Sequence, residues 1–128
     1  MSYQDQAAKV MIVYRVQDSS GRGPWKPGFS KKWVIDRPDH ANLIPYFQEW
    51  PDFDPAKDRL PGESLGCGCM SVPQLQRWFT KNEMLILSLH GYRAVGVCAD
   101  RLIRHSDIQC IFAVRGAIKD KSYRINLY

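Results

Sequence analysis

Three short segments carry side chains able to do chemistry together: Tyr14-Arg15-Val16, Cys69-Met70-Ser71 and Asp107-Ile108-Gln109-Cys110-Ile111-Phe112. Each sets one polar side chain where an apolar run ends or begins, which is how a cleft in a small mixed sheet is built. Arg15 offers a planar, permanently charged fork suited to phosphate. Ser71 offers a hydroxyl that either orients a ligand or caps the helix after it. Gln109 is an amide where catalysis would favour a carboxylate: it can hydrogen-bond but supplies no charge. The alternative reading of Gln109 is an ordinary strand-edge amide. Asp107, two residues away, shares the face of Gln109 if the strand is regular and is the substitute carboxylate. Asp100 is a second candidate.

The elements that must position these groups are legible to different degrees. Val10 to Val16 is apolar at nearly every position, which predicts a strand buried on both faces until Arg15. A lone arginine in such a strand needs a partner, because an unpaired buried charge is costly. Asp18 to Pro24 is turn chemistry, and the stretch to Trp33 is a long loop in which Arg22, Lys26, Lys31 and Lys32 alternate with Trp25, Phe29 and Trp33. Such a loop either stacks and neutralises a nucleotide or single strand, or packs on the sheet by its aromatic residues. A short helix is expected within 41–50, extended chain over 50–55, and a small-residue strand over 65–70 whose Gly66 and Gly68 imply a close approach to its backbone.

Two helices have the clearest signals. Ser71-Val72-Pro73-Gln74 and Thr80-Lys81-Asn82-Glu83 both read as capping boxes, with Leu75, Trp78 and Phe79 on one face of the first helix. Gly91 stops the second. A strand over 92–99, a short helical turn over 100–104, a buried strand over 110–114 and a closing strand over 123–127 complete the reading. Together they predict an α+β domain spanning residues 1–128, with a mixed, mostly antiparallel sheet and two or three short helices.

Composition limits the function classes. Apolar residues make up 45% and charged residues 24% of the chain, ordinary values for a soluble globular protein. The polar N-terminus lacks a signal-peptide core and the apolar runs are too short to span a bilayer, so a cytoplasmic location with no membrane contact is expected. The net charge of +5 is segregated: residues 36–63 hold seven acids and three bases, a net of −4, which leaves +9 elsewhere. A basic body suits an acidic partner, be it nucleotide, nucleic acid or protein. Cys67, Cys69, Cys98 and Cys110 read as reduced, packed thiols. Zinc held by Cys67 and Cys69 with Cys98, Cys110, His90 or His105 is disfavoured by the spacing, so no metal is expected. The common nucleotide-binding and hydrolase motifs are absent, and His40, His90 and His105 accompany no nucleophile elbow.

In order and local pattern the three segments resemble the ADP-ribosyltransferase superfamily of the arginine-serine-glutamate type. Arg15 sits on the first strand, Gly68-Cys69-Met70-Ser71-Val72-Pro73 leads into a helix, and the late run from Asp107 to Phe112 is followed by Gly116. The resemblance implies NAD as cofactor. Arg15 and the Arg22-Gly23-Pro24-Trp25 loop would grip it, Ser71 would shape the nicotinamide pocket, and Gln109 with Asp107 would face the ribose. Cleavage of the nicotinamide bond passes through an oxocarbenium-like state that favours a carboxylate, and here a glutamine replaces the family's glutamate.

A second pattern runs Tyr14-Arg15-Val16-x-Asp18-x-x-Gly21-Arg22-Gly23-Pro24-Trp25, then Pro27-Gly28-Phe29-Ser30 and Gln76-Arg77-Trp78-Phe79. It is similar to small prophage proteins, which implies host takeover or counter-defence, anti-CRISPR inhibition included. A bacterial host protein such as a CRISPR effector is the implied partner. Two rival readings stand beside transfer: a stoichiometric inhibitor that binds its target without chemistry, and a basic nucleic-acid binder using Lys26, Lys31, Lys32 and Trp33.

Overall fold

A computed structural model describes residues 11–35 and 42–128. The chain begins with β1 (Met11–Gln17), whose alternating side chains face two different cores. After the aromatic loop come two one-turn helices, α1 (Tyr46–Glu49) and α2 (Pro55–Asp58), then β2 (Glu63–Gly68). Two longer helices follow, α3 (Val72–Trp78) and α4 (Lys81–Leu89). The remaining strands are β3 (Arg93–Ala99), β4 (Arg101–His105), β5 (Cys110–Arg115) and β6 (Ser122–Arg124).

The α+β class expected from the sequence is the one adopted, with differences in detail. Instead of a single mixed sheet there are two three-stranded antiparallel sheets, β1-β3-β6 and β2-β5-β4. They meet where Tyr14 pairs with Cys69, through backbone hydrogen bonds of 2.8 and 2.7 Å. The described residues hold four short helices rather than two or three.

The helical turn expected over 100–104 is a strand. Asp100 N–H donates to the Ala113 carbonyl at 2.9 Å, and Asp100 Oδ2 accepts from Arg115 N–H at 2.6 Å. These bonds start a β4–β5 ladder that overrides local preference, with an irregularity between Leu102 and Arg104. The extended reading of 50–55 is likewise corrected: a turn over 51–52 is closed by Phe53 N–H donating to the Trp50 carbonyl at 3.1 Å, and Asp54 accepts from Ala56 N–H where Pro55 opens α2. The helix sought within 41–50 is only Tyr46–Glu49, beginning after Pro45; Ala41 lies outside the described residues.

One core lies between the first sheet and α3 and α4. It contains Val16, Leu75, Phe79, Leu87, Tyr92 and Trp33, the last 1% exposed and stacked on Phe79 at 5.5 Å. The aromatic loop is therefore anchored on the fold through Trp33, with Trp25 edge-on to it at 4.7 Å and half of its surface still exposed. The second core, Val13, Val95, Val97, Cys110, Phe112 and Val114, fills the space between the two sheets.

The Thr80 capping box closes in both directions. Ser71 accepts from Gln74 N–H, but the Gln74 side chain reaches past it to Met70 N–H at 2.8 Å.

A bidentate contact within the second sheet joins β4 to the start of β2, and the same arginine reaches the end of α2 in the acidic segment. Arg101 Nε and Nη2 donate to Glu63 at 2.8–3.2 Å, and Arg101 Nη2 also donates to the Asp58 carbonyl. The hydrogen bond from Arg101, then that from Leu60 N–H, holds the Glu63 carboxyl below the usual carboxylate range. Its stabilising contribution is complete above the unfolded value of about 4.3 and is lost as pH falls through the lower folded value. Denaturation titrations from neutral pH to pH 3 should show a shallower acid decline in Glu63→Gln than in the parent. An unchanged decline would show that other carboxylates set it.

Candidate functional site

Arg15 is the charged side chain among the few buried polar groups of the described residues left without a hydrogen-bond partner, which also include Gln17 Oε1, Trp33 Nε1 and the Tyr92 hydroxyl. Register places it opposite Val95, on the face that looks toward the second sheet. Its guanidinium lies 5.8 Å from the Phe112 ring centroid. A Cβ on Gly66 would come within 2.4 Å of Nη1, and one on Gly23 within 3.3 Å of Nη2. The small-residue strand thus exists to let this arginine pass. Yet Nε and Nη1 are buried with no hydrogen-bond partner among the described residues. Burial draws the group's pKa down, while the nearby Cys67, Cys110 and Asp18 act in the opposite direction.

The same sheet face carries more positive charge. Arg15, Val95 and Arg124 occupy one cross-strand row, and Gln17 and Arg93 the next. The turn at 118–121 lies against this region and adds Lys119, whose backbone nitrogen is 3.2 Å from where a Gly21 Cβ would stand. Gln17, Asp18, Arg93, Val95, Lys119 and Arg124 line an open depression of about 370 Å³. Arg93 Nη1 is fixed at its rim by the carbonyls of Tyr92 (2.6 Å) and Ser88 (3.1 Å). Among the described residues neither Lys119 nor Arg124 has an ion pair.

Asp18 does not neutralise this charge freely. Its Oδ1 accepts from Ser20 N–H, Ser20 Oγ and Arg22 N–H at 2.6–3.0 Å, and Oδ2 lies 3.8 Å from Lys26 Nζ. Burial works against its ionisation, but these bonds outweigh it and hold the carboxyl below its usual range.

The residues picked out from the sequence are not gathered at Arg15. Cys69, paired with Tyr14, belongs to the helix-side core. Ser71 caps α3, accepting from Gln74 N–H at 3.3 Å. Gln109 is 5% exposed and donates its amide to the Ile44 carbonyl and Glu49 Oε1, both at 2.9 Å, tying down the acidic segment. Asp107 is exposed in the turn closed by Ser106 N–H donating to the Gln109 carbonyl, so the regular strand that would align it with Gln109 is absent. Arg22 is exposed on the 18–22 turn, and Trp25 belongs to the aromatic cluster with Trp33, Trp78 and Phe79. Of the cofactor-binding set, only Arg15 and the turn bearing Arg22 and Gly23 come close together.

Gln17, Arg93, Lys119 and Arg124 escaped sequence reading. The β1 alternation did signal that Arg15 and Gln17 share a face; the cross-strand register that adds the other bases has no local signature.

Cys67, Cys69 and Cys110 offer little nucleophilic or ligating chemistry, while Cys98 is exposed. Burial pushes the Cys67 thiol up to about 11 and the Cys110 thiol up to about 12, and raises Cys69 further. Such thiols are protonated at neutral pH and inert. Among the described residues no three His, Cys, Asp or Glu side chains converge to hold a metal.

A guanidinium with two nitrogens buried and unpartnered among the described residues is there at a cost to stability. Arg15→Met, which retains the unbranched shape, should raise stability to chemical denaturation by about 1–2 kcal/mol. A loss of similar size would make Arg15 a structural tie instead.

The chain matches no curated protein and no solved structure. Among the described residues no helix is long and apolar enough to cross a membrane. A family model, the bacteriophage T4 Y00F protein, matches residues 11–126, covering both sheets, all four helices and the basic face. This match bears on the phage pattern read from Tyr14 to Trp25 and adds nothing to the transferase resemblance. With nearly its whole length accounted for, the chain belongs to the bacteriophage T4 Y00F protein family.

Proposed function

We propose that this phage protein acts in the infected bacterium by binding an anionic host component through the basic face of its first sheet. The observation that carries this reading is the grouping of Arg93, Lys119 and Arg124 around one depression whose only lining carboxylate, Asp18, is engaged in its own turn. Three cations without an ion pair among the described residues outnumber the one ionised carboxylate of the lining, so the opening keeps a net positive charge that speeds capture of a negative partner. An acidic patch on a host defence protein, a CRISPR effector for example, is a partner of this kind. In that form the protein is a stoichiometric inhibitor.

The transferase reading draws support from Arg15, whose orphaned nitrogens are of the right type for a diphosphate. The rest of the constellation does not fit NAD. Gln109 is engaged with Ile44 and Glu49, and Asp107 sits at an exposed turn. No transfer step is derived on these residues, and binding is the better-supported activity.

The reading predicts a host complex that forms without NAD and weakens as ionic strength rises past the range where exposed charges are screened. Arg93→Glu combined with Arg124→Glu should abolish co-purification, while Gln109→Ala keeps it. A complex indifferent to salt and to both reversals would place the binding surface elsewhere.

A further inference from the structure

We infer that the loop after β1 binds single-stranded nucleic acid, with Trp25 as the platform on which a base stacks and the neighbouring bases of the chain on the phosphates. The inference does not rest on the basic depression, because the two lie on opposite faces of the first sheet. Val95 of the depression belongs to the inter-sheet core, and Gln17 shares the strand parity of Val13 in that core. Trp25 instead packs on Trp33, Trp78 and Phe79, all of the helix-side core.

The loop is a continuous stretch of positive charge. Residues 19–35 hold four bases and no acid, and Arg22, Lys26, Lys31 and Lys32 are all exposed. Lys26 Nζ stands 3.8 Å from Asp18; among the described residues Arg22, Lys31 and Lys32 have no ion pair. Turn bonds keep these charges near the indole. Phe29 N–H donates to the Lys26 carbonyl at 3.1 Å, and Lys32 N–H to the Phe29 carbonyl at 2.9 Å. Even fully extended, the chain from Trp25 to Lys31 would reach only about 22 Å.

Trp25 itself is 52% exposed, yet ring contacts at 4.7, 6.3 and 6.3 Å hold it in place. Trp33, the aromatic that the sequence assigns to a nucleic-acid surface, is 1% exposed and serves as its support. A half-open indole fixed by three rings loses little freedom when a base stacks on it, and every base has a π-face to offer.

The make-up of the surface selects the partner. Lysine is depleted at protein–protein interfaces, where arginine accompanies the aromatic residues, and three of these four bases are lysines. A lipid surface needs more apolar area. Phe29 is turned against His90 and Tyr92, which leaves Trp25 as the one exposed large apolar side chain of residues 18–35. In a duplex the bases are stacked on one another, so an open ring flanked by cations suits a single strand.

Fluorescence anisotropy of labelled short oligothymidylate, oligouridylate and a duplex of equal length tests this on the whole chain. Both single strands should bind about tenfold tighter than the duplex and quench tryptophan emission. Contacts to three or four phosphates predict a slope of log K against log salt of about −2 to −3. Trp25→Ala should weaken strand binding about tenfold and remove the quench, and Trp25→Phe should restore part of the affinity. Lys31→Glu with Lys32→Glu should weaken binding and flatten the salt slope, more than Arg93→Glu with Arg124→Glu does.

The comparison of strand with duplex needs no variant and stands if Trp25→Ala fails to fold. Equal affinity for strand and duplex overturns the inference, as does a quench that survives Trp25→Ala. Uptake by phosphatidylglycerol vesicles without strand binding overturns it in favour of a lipid surface. Strand binding lost on reversal at Arg93 and Arg124 but kept on reversal at Lys31 and Lys32 overturns it in favour of the depression.

Discussion

Two backbone hydrogen bonds between Tyr14 and Cys69 are the constraint on which the rest of the structure depends. They join one three-stranded sheet to the other and fix the side from which β2 meets β1. The approach is so close that a Cβ on Gly68 would sit 2.8 Å from the Tyr14 carbonyl oxygen. Because neighbours in a strand point to opposite faces, pairing Tyr14 with Cys69 sends Arg15 the other way. Tyr14 and Cys69 enter the helix-side core, and Arg15 enters the space between the sheets against Phe112 and Gly66. One residue of alternation thus separates the arginine from the late-strand amide that the sequence order sets beside it.

The same geometry sorts the charge. The acidic segment closes on the second sheet through Arg101 to Glu63, Arg104 to Asp52 at 3.5 Å, and Gln109 to Glu49. Glu63 and Asp52 therefore answer bases of β4, while Arg93 of β3 and Arg124 of β6 line the open depression. The described part of the acidic segment, residues 42–63, holds five acids against two bases, a net of −3, and lies on the second sheet, so the charge division of the sequence is also a structural one. Residues 36–41 lie outside the described residues, so this division is drawn from 42 onward.

Much of this architecture was legible in the chain. Helices α3 and α4 announced themselves through Ser71 and Thr80, whose caps formed as local chemistry requires. Gly66 and Gly68 signalled a close approach, and both serve one, to Arg15 and to Tyr14. The helical turn expected over 100–104 is a strand because five residues rich in arginine have no periodicity of their own and become a strand only when β5 pairs with them. The site was half legible for a related reason. Residue types and their order can be read along a chain, but whether Arg15 and Gln109 share a face depends on how two sheets are joined. That information lies in register, not in composition.

Recognition of an anion, the proposed activity of this phage-family protein, requires no transfer of a group to the host. Intact-mass measurement of host proteins exposed to it, with and without NAD, separates the two. Host masses are expected to stay unchanged in both conditions, with a host protein retained in a stoichiometric complex. An ADP-ribose mass added to a host protein only in the presence of NAD, and lost in Arg15→Ala, would contradict that expectation.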